Sequence, residues 1–357
     1  MPKRVIVIGS GIIGSSVAYH LAKGGAKVTV IEADAPGGLA TRASWAWINA
    51  SWGNPEPYFQ LRMRSIAEWR RLAGEVPGLH VDWCGGLIWD LPPAELDAYA
   101  AERAAWGHPI RRVSRSEIGD IEPNLTQLPD HAYHVAGEGM LEPLATAQAL
   151  LAAAQARGAE VMAGTPVRWL VESHGRVCGV MIEEGVIHAD EIVVAAGAAT
   201  AALLDSLGIM LRLTAPAGLL AHSRPAPRLL TGLVMTPGLH LRQTSSGRLV
   251  AGTDFTGNDP VDSAEALAEE LQSKVEGMVK GAQGLGLDGF TIGYRPTPAD
   301  GFSAIGRPQS RDGLYTIVTH SGVTLAPALG QFAAQEILTG MRDPLIAPFG
   351  PSRASLI

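Results

Sequence analysis

Val5–Gly14 reads VIVIGSGIIG, and this stretch decides the fold. Apolar residues that suit a buried strand lead into three glycines spaced as G-x-G-x-x-G, and an apolar helical segment follows. In this pattern Gly9 permits the tight turn, Gly11 lets the backbone approach a pyrophosphate, and Gly14 allows the helix to pack closely on the strand. The helix N-terminus presents amides to negative charge. The stretch therefore predicts a Rossmann-type unit that binds a dinucleotide.

The second strand of that unit ends in a carboxylate. VTVIE spans Val28 to Glu32, so that Glu32 follows Gly14 by eighteen residues. An acidic side chain at this distance can accept a hydrogen bond from a ribose hydroxyl. Because the same carboxylate would repel a 2′-phosphate, the sequence disfavours NADP.

The N-terminal run has a second interpretation. Met1–Arg4 is basic, and Val5–Ala22 contains no Asp, Glu, Lys or Arg, as in a signal peptide or a short membrane span. The glycine spacing accounts for the run better, because the first strand and helix of a Rossmann unit are normally buried. We expect a cytoplasmic protein that does not act at a membrane.

Composition excludes several classes of function. The 357 residues suggest about two domains, and the net charge of −7 is spread over interspersed charges, which leaves no basic face for nucleic acid or lipid. Cys84 and Cys178 form no C-x-x-C motif, which suits a reducing compartment. The histidines lack zinc-type spacing, so we expect no metal site.

The hydrophobic pattern divides the chain into two interleaved domains. Buried-type strands and helices alternate in 1–78, 141–210 and 296–357, which we assign to the dinucleotide-binding domain. Short strands broken by Pro and Gly fill 79–140 and 211–295, the second domain. Apolar residues at helical spacing predict helices over about 57–73, 144–157, 262–280 and 323–339.

Further segments follow the glycine-rich turn in a distinctive order. They are Ala40–Trp47 (ATRASWAW), Thr165–Arg168 (TPVR), Val193–Gly197 (VVAAG), Gly293–Gly301 (GYRPTPADG) and Thr319–Pro327 (THSGVTLAP). Their order and spacing resemble the D-amino-acid oxidase superfamily of flavoproteins, nearest to its glycine oxidase and sarcosine oxidase branches, over nearly the whole chain. The resemblance implies an α/β, Rossmann-type FAD-binding domain interleaved with an α+β substrate domain built on an antiparallel or mixed sheet.

Ala40–Trp47 resembles the family's second flavin loop, which wraps the pyrophosphate and reaches the isoalloxazine ring. Its small and hydroxyl side chains suit phosphate contacts, and Trp45 and Trp47 would form apolar walls near the ring. The loop departs from the family, which usually has Gly and Ala here, so the pocket shape and the identity of the substrate do not carry over. The alternative is a pair of core tryptophans without flavin contact.

Thr319–Pro327 resembles the segment that meets the flavin at the start of a helix. Gly322 lets the backbone come close, and the positive end of the helix dipole would stabilise negative charge at the flavin N1–C2=O edge. Pro327 is expected in the first turn, where no donor is lost. His320 either supports this contact or is a packed loop residue.

Arg295 is the predicted substrate anchor. Pro296 and Pro298 restrict the backbone directly after it, and a guanidinium can bind a carboxylate through two parallel hydrogen bonds. In the family that the chain resembles, this arginine holds the amino-acid carboxylate above the flavin. The alternative is a structural salt-bridge arginine.

His240 is a weaker catalytic candidate. It lies in a predicted strand, where a period of two puts Arg242 on the same face. Relatives often have an active-site tyrosine nearby, so His240 would orient the amine or the carboxylate, or accept a proton. The alternative is a solvated strand face.

The resemblance implies that FAD is bound noncovalently. Val167 matches the position whose backbone meets the adenine, and Val193–Gly197 matches the strand that closes the adenine–ribose side, although both also suit ordinary buried strands. The sarcosine oxidase branch tethers its flavin through a cysteine, and no Cys follows Cys178 here. The residues expected to contact FAD are Gly9, Gly11, Ile13, Gly14, Glu32, Ala33, Ala40, Thr41, Arg42, Ser44, Trp45, Ala46, Trp47, Val167, Ala196, Gly197, His320, Ser321, Gly322, Val323, Thr324 and Leu325.

The predicted reaction is oxidation of a small amino acid of the glycine, sarcosine or D-amino-acid type to the imine, by hydride transfer to flavin N5 and subsequent hydrolysis. None of the five lysines is assignable as the oxygen-activating lysine of the sarcosine oxidase branch, so the acceptor is O₂ or another carrier. The alternatives are a dye- or quinone-linked dehydrogenase of the proline or hydroxyproline type, an NAD-dependent dehydrogenase and a non-catalytic flavoprotein. A homo-oligomer is compatible with the sequence.

Overall fold

The computed structural model describes residues 1–51, 53–253, 263–308 and 311–357. The strands within these residues are β1 (Arg4–Ile8), β2 (Lys27–Ile31), β3 (Trp47–Ile48), β4 (Gly86–Ile88), β5 (Arg111–Ser114), β6 (His131–Val135), β7 (Gly139–Met140), β8 (Glu160–Met162), β9 (Trp169–Ser173), β10 (Arg176–Ile182), β11 (Gly185–His188), β12 (Glu191–Val194), β13 (Leu213–Thr214), β14 (Ala217–Pro225), β15 (Leu233–Thr236), β16 (Leu239–Gln243), β17 (Arg248–Gly252), β18 (Leu287–Tyr294), β19 (Thr297–Pro298), β20 (Ala304–Gly306) and β21 (Leu314–Val318). The helices are α1 (Ile12–Lys23), α2 (Leu39–Arg42), α3 (Glu56–Glu75), α4 (Pro93–Ala105), α5 (Arg115–Ile121), α6 (Pro143–Gln155), α7 (Thr200–Asp205), α8 (Ala264–Met278) and α9 (Gly322–Thr339).

The glycine-rich stretch lies at the centre of a six-stranded sheet with the order β20-β21-β12-β1-β2-β8. β1 pairs in parallel with β2 on one side and β12 on the other, and Val5, Ile6, Val7 and Ile8 are all buried. β21 and β8 extend the parallel pairing, whereas β20 pairs antiparallel with β21. A strand that is apolar on both faces belongs in such a covered parallel sheet.

Helix α1 is buried because it packs against both α6 and α9. Contact with α9 is close at Ser16, whose hydroxyl donates to Ala326 O at 2.7 Å, and a Cβ on Gly330 would lie 2.2 Å from Ser16 Oγ. Burial on several sides explains the uncharged run through α1. Among the described residues, no helix combines the length and the apolar character needed to cross a bilayer.

The expected location of Pro327 in the first turn of its helix is wrong. Because α9 begins at Gly322, Pro327 lies inside the helix and cannot donate to Val323 O. The indole Nε1 of Trp69, on α3, donates to that carbonyl at 3.0 Å instead. The side chain thus compensates for the missing backbone donor and ties α3 to α9.

The second large sheet has eight strands in the order β18-β14-β17-β16-β15-β4-β6-β5. Its neighbours pair antiparallel except β15 and β4, which are parallel, so the sheet is mixed. Helix α8 covers β14, β17 and β18 through Ala268, Leu271 and Val275.

The predicted fold class, a Rossmann-type unit with a mixed-sheet unit, is confirmed. All strands of the six-stranded sheet lie within 1–78, 141–210 and 296–357, and all strands of the eight-stranded sheet lie within 79–140 and 211–295. The domain boundaries themselves stay a prediction. Helices α3, α6, α8 and α9 occur where the hydrophobic spacing predicts them.

Candidate active site

A cavity of about 790 Å³ lies at the carboxyl ends of the parallel strands. Ile8, Ile31 and Val318, the last residues of β1, β2 and β21, line it. The eight-stranded sheet contributes further wall through Leu219 of β14 and Met235 of β15. Open α/β sheets bind ligands in the crevice outside the carboxyl ends of their strands, so this cavity is the candidate site.

Most residues that the sequence singles out line this one cavity. They are Gly9, Gly11, Ile13, Glu32, Ala33, Ala40, Thr41, Ser44, Trp45, Ala46, Trp47, Val167, Ala196, Gly197, His240, Arg295, His320, Ser321, Gly322, Val323 and Thr324. Gly14, Arg42 and Leu325 are not in its lining. Arg42 is exposed and donates to Gly38 O and Ala35 O, whereas Leu325 is fully buried in the core.

Close backbone packing requires the glycines of the first turn. Gly9 has a φ of +97°, and a Cβ there would lie 2.6 Å from Ala195 O. A Cβ on Gly14 would lie 1.9 Å from Gly9 O. Because neither place accepts a side chain, the turn stays tight and brings Gly11 and Ile13 to the cavity wall.

Glu32 both lines the cavity and holds the glycine-rich turn. Its Oε2 accepts hydrogen bonds from Ser10 N at 2.8 Å and from Ser10 Oγ at 2.7 Å, and its Oε1 accepts one from Asp34 N at 3.2 Å. Ser10 Oγ in turn accepts a bond from Gly37 N at 3.2 Å. The spacing predicts only a ribose contact for Glu32, and the link to Ser10 is new.

The loop formed by residues 39–49, which includes the short helix α2, is tied to both helix starts at the cavity. Thr41 Oγ1 accepts a hydrogen bond from Ile12 N at 3.0 Å, at the N-terminus of α1. Thr324 Oγ1 donates to Trp47 O at 3.1 Å and accepts from Asn49 N at 3.3 Å, in the first turn of α9. The loop therefore takes its shape from two helices that are distant in sequence.

Trp45 and Trp47 form an aromatic wall of the cavity. Their ring centroids are 5.9 Å apart in an edge-to-face arrangement, and the Trp45 ring lies 5.9 Å from the His240 ring. Both tryptophans are half-buried and line the cavity, so they are not purely core residues. The Trp45 indole Nε1 has no hydrogen-bond partner among the described residues.

Glu138 fixes this wall from behind, and sequence reasoning missed it. Its buried carboxylate accepts hydrogen bonds from Trp47 Nε1 at 2.9 Å, Ala50 N at 2.8 Å, Ser51 N at 3.0 Å and Ser51 Oγ at 2.6 Å. Burial raises the pKa of Glu138 to about 7, against the opposing effect of these donors. Nothing in the local sequence around Glu138 distinguishes it from an ordinary turn residue.

His320 stands directly before the start of α9. Its Nε2 lies 3.1 Å from Ser321 Oγ, and its ring stacks on Tyr58 with centroids 6.1 Å apart. Burial, with smaller contributions from Arg62 and Arg295, lowers the pKa of His320 to about 3. The imidazole is therefore neutral at pH 7.

Arg62 is a second residue that sequence reasoning missed. It lines the cavity from α3, is 4% exposed, and donates from Nη1 to Asn49 Oδ1 at 2.6 Å and from Nη2 to Ser321 Oγ. The sequence feature that could have identified Arg62 is its spacing, because Arg62 follows Tyr58 by four residues and precedes Trp69 by seven. This spacing places a cation on the buried face of the helix.

Arg295 and His240 reach the cavity from the eight-stranded side. The backbone of Arg295 is fixed by its N–H, which donates to Pro216 O at 3.0 Å, and by Thr297 Oγ1, which donates to Arg295 O at 3.0 Å. His240 lies on β16 opposite Met235. Arg242 is buried beside Glu142 and does not line the cavity.

Comparison with known proteins gives the family. The profile of the FAD dependent oxidoreductase (DAO) family matches residues 4–336. The chain belongs to this family. It is 30% identical to a glycine oxidase from Bacillus licheniformis, over 95% of this chain and 94% of that protein.

Solved structures agree on the fold. Glycine oxidase from Geobacillus kaustophilus superposes with a TM-score of 0.87 at 24% identity and covers 98% of this chain and 99% of that one. L-proline dehydrogenase from P. horikoshii superposes with a TM-score of 0.86 at 22% identity and covers 99% and 98%.

The chain is therefore an FAD-dependent oxidoreductase, and the cavity suits that cofactor. The cradle at Gly9 admits no Cβ, Glu32 lines the cavity near it, and the orphaned Trp45 Nε1 offers a donor at the aromatic wall. No group of three or more His, Cys, Asp or Glu side chains arranged to hold a metal ion occurs in the part of the chain that the structure describes.

Proposed function

We propose that the protein oxidises a small amino acid, of the glycine, sarcosine or D-amino-acid type, to the corresponding imine. The observation that carries the proposal is that Arg295 and His240 line the same cavity as Gly11 and Gly322. The proposed substrate and cofactor contacts thus line one cavity. The relatives named glycine oxidase support the amino-acid class.

Arg295 is the proposed carboxylate anchor. Its planar guanidinium offers paired donors to a carboxylate, and its backbone is held by Pro216 O and Thr297 Oγ1. A fixed anchor of this kind orients the Cα–H bond of the substrate and thereby reduces the entropic part of the barrier. His240 and the Trp45–Trp47 wall would limit the size of the side chain that fits beside it.

The reaction balances without a dedicated side-chain base. The substrate would enter with a neutral amine, the Cα–H bond would break with its electron pair, and the nitrogen lone pair would form the C=N bond of an iminium ion. Loss of the N–H proton to water would then give the imine. FAD, when bound, supplies the two-electron acceptor for that hydride. Water then hydrolyses the imine to the oxo acid and ammonia or amine. The cavity's role is to orient the substrate and to limit water.

The proposed contacts to FAD follow the cavity lining. Gly9, Gly11 and the N-terminus of α1 would hold the pyrophosphate, and Glu32 the ribose. Ala196 and Gly197 would meet the adenine side, and Ser321–Thr324 at the start of α9 would meet the flavin ring.

We further propose that FAD is held noncovalently. Neither Cys84 nor Cys178 lines the cavity, and burial raises the pKa of the Cys84 thiol to about 12. A thiol of that kind is a poor nucleophile. Acid precipitation should leave the flavin in the supernatant, and flavin retained on the washed pellet would refute the noncovalent attachment. A cytoplasmic location remains a prediction.

A second candidate is a dehydrogenase that passes electrons to a dye or quinone. The observation that favours it is that none of the five lysines, all of which lie in the described part of the chain, lines the cavity. Lys3 precedes β1, Lys23 ends α1 and Lys27 begins β2, whereas Lys274 lies in α8 and Lys280 follows it. The cavity lining thus contains no lysine that corresponds to the oxygen-activating lysine of the sarcosine oxidase branch.

An anaerobic screen tests the proposal. Purified protein is mixed with glycine, sarcosine, proline and D-amino acids, and bleaching of the flavin band near ~450 nm is followed. Fast bleaching by an amino acid, and much slower bleaching by the amine that lacks its carboxylate, is expected. Readmission of air then separates the two acceptors, because only an oxidase consumes oxygen directly. A flavoprotein bleached by none of these compounds contradicts the proposal.

A further inference from the structure

Arg62 is a buried cation at the cavity wall whose direct partners are neutral. Its hydrogen-bond acceptors are the Asn49 amide oxygen and the Ser321 hydroxyl. In the part of the chain that the structure describes, no carboxylate oxygen lies within 4.0 Å of the guanidinium. The carboxylate of the nearby Glu138 instead accepts hydrogen bonds from Trp47, Ala50 and Ser51.

Burial of the Arg62 charge destabilises the folded protein unless a negatively charged partner offsets it. Burial lowers the pKa of Arg62 below its usual range, which reflects the penalty of removing the charge from water, and Tyr58 and Glu138 oppose that effect only in part. A guanidinium nevertheless stays protonated in proteins. A negative charge beside the guanidinium would offset this desolvation cost.

The guanidinium and the positive end of α9 meet at the same place. Ser321, which accepts a hydrogen bond from Arg62, is the N-cap residue of α9, and Gly322 opens that helix at the cavity wall. Asn49, the other anchor, donates its N–H to Thr324 in the first turn of α9. Cation and helix dipole thus act on the same part of the cavity.

Arg62 and Arg295 belong to different walls. Arg62 comes from α3 and touches the start of α9, whereas Arg295 follows β18 of the eight-stranded sheet. A role beside the cofactor is therefore better suited to Arg62 than a role as a second substrate anchor. This argument rests on the proposed site, in which the flavin ring lies at the start of α9.

We propose that Arg62 stabilises the negative charge that FAD gains on reduction, and so raises the reduction potential of the bound cofactor. A preorganised charge aimed at the place where charge develops needs no reorganisation during the reaction. Arg62 thereby adds to the effect of the α9 dipole, and the neutral anchors Asn49 and Ser321 hold the guanidinium without cancelling its charge.

The test compares FAD-loaded variants without any substrate. Arg62→Gln and Arg62→Met remove the charge with a polar and an apolar side chain, and Arg62→Lys retains it. Arg64→Gln is the matched control, because Arg64 lies on the same helix but pairs with Glu68 away from the cavity. The readouts are the midpoint potential of FAD and the dissociation constant for sulfite, which yields an anionic product with oxidised flavin.

Both charge-free variants should shift the two-electron equilibrium about tenfold toward oxidised FAD, which lowers the midpoint potential by about 30 mV. They should also weaken sulfite binding about tenfold or more. Arg62→Lys should lie nearer to the wild type, and Arg64→Gln should match it. A wild-type potential in either charge-free variant overturns the proposal, as does an equal loss in Arg62→Lys. Failure of both charge-free variants to retain FAD would assign Arg62 to folding or cofactor binding instead, and would also overturn it. Because no substrate is used, the result is independent of the amino-acid assignment.

Discussion

The two ends of the cavity are built on different principles. The proposed nucleotide end is lined by Gly9, Gly11, Glu32, Val167 and Gly197, and the proposed ring end by Trp45, Trp47, Arg62, His240 and Arg295. At the nucleotide end, steric limits on the backbone fix the shape, as at Gly9, where a Cβ would collide with Ala195 O. At the ring end, side chains from distant segments supply the walls and the charges.

This difference separates features that a local sequence pattern specifies from features that depend on the folded chain. Backbone geometry depends on glycine spacing within one βαβ unit, so a dinucleotide-binding turn is recognisable wherever that spacing occurs. The chemistry of the ring end depends on side chains such as Trp47 and Arg62, which meet only in the folded molecule. The cofactor class is therefore predicted from the first end, and the proposed substrate class depends on the second.

The largest effect is expected from Gly14→Ala at the nucleotide end. The added Cβ would lie 1.9 Å from Gly9 O and 2.9 Å from Gly9 C, both backbone atoms, so α1 must move away from the turn. We expect a loss of about 1–3 kcal/mol or more in the free energy of unfolding and loss of FAD on purification. Denaturant unfolding and the flavin-to-protein absorbance ratio measure both.

Gly74→Ala is the control for this substitution. Gly74 lies in α3, and a Cβ there meets nothing within 4 Å, so the change should be neutral or stabilising by about 0.5–1 kcal/mol. If Gly14→Ala retained FAD and stability as well as the control does, the steric account of the nucleotide end would be wrong.

A smaller effect is expected from Glu32. Glu32→Ala should weaken FAD binding by about 1.5–3 kcal/mol, the value of a hydrogen bond to a charged group. Glu32→Gln keeps an acceptor for Ser10 but removes the charge, so it separates support of the turn from contact with the ribose. Titration of the apoprotein with FAD measures both affinities, and unchanged affinity in both variants would remove Glu32 from the ribose site.

The smallest effect is expected from Glu138→Gln, behind the ring end. The folded protein raises the pKa of Glu138 from 4.5 to about 7, so between these pH values the folded state holds a proton that the unfolded state has released. The stabilisation is full below pH 4.5 and is lost as the pH rises to about 7.

The stability of the wild type relative to Glu138→Gln should therefore fall between pH 5 and pH 7.5. Urea unfolding of both proteins at the two pH values measures this difference. A difference that stayed constant, or that grew with pH, would show that Glu138 is ionised throughout and that its donors outweigh burial.

Sequence reasoning succeeds where the signal is local and fails where it depends on packing. The G-x-G-x-x-G spacing predicts the Rossmann unit because the turn, the helix and the next strand are contiguous. Arg62 was missed because α3 carries other arginines. Only the folded chain shows that Arg64 and Arg71 pair with Glu68, whereas Arg62 faces inward. A cation on an apolar helical face was the available signal.

Other misses have the same cause. Glu138 lies 91 residues from Trp47, to which it bonds, so no spacing rule connects them. Pro327 was expected in the first turn because a donor for Val323 O was not foreseen, and Trp69 supplies that donor from another helix. These contacts arise from tertiary packing, which a single sequence does not encode as a pattern.

The central claim, that Arg295 anchors the carboxylate of an amino-acid substrate, is tested most directly by Arg295→Lys. The anaerobic rate of flavin reduction and the apparent substrate affinity are measured for the wild type and the variant. Lysine keeps the charge but loses the paired donors, so we expect weaker binding and slower reduction, with a combined loss of about 2 kcal/mol or more and an unchanged FAD spectrum. A slow amine substrate without a carboxylate should react equally with both proteins. Reduction of the variant as fast as the wild type by every amino acid would contradict the anchor and, with it, the amino-acid assignment.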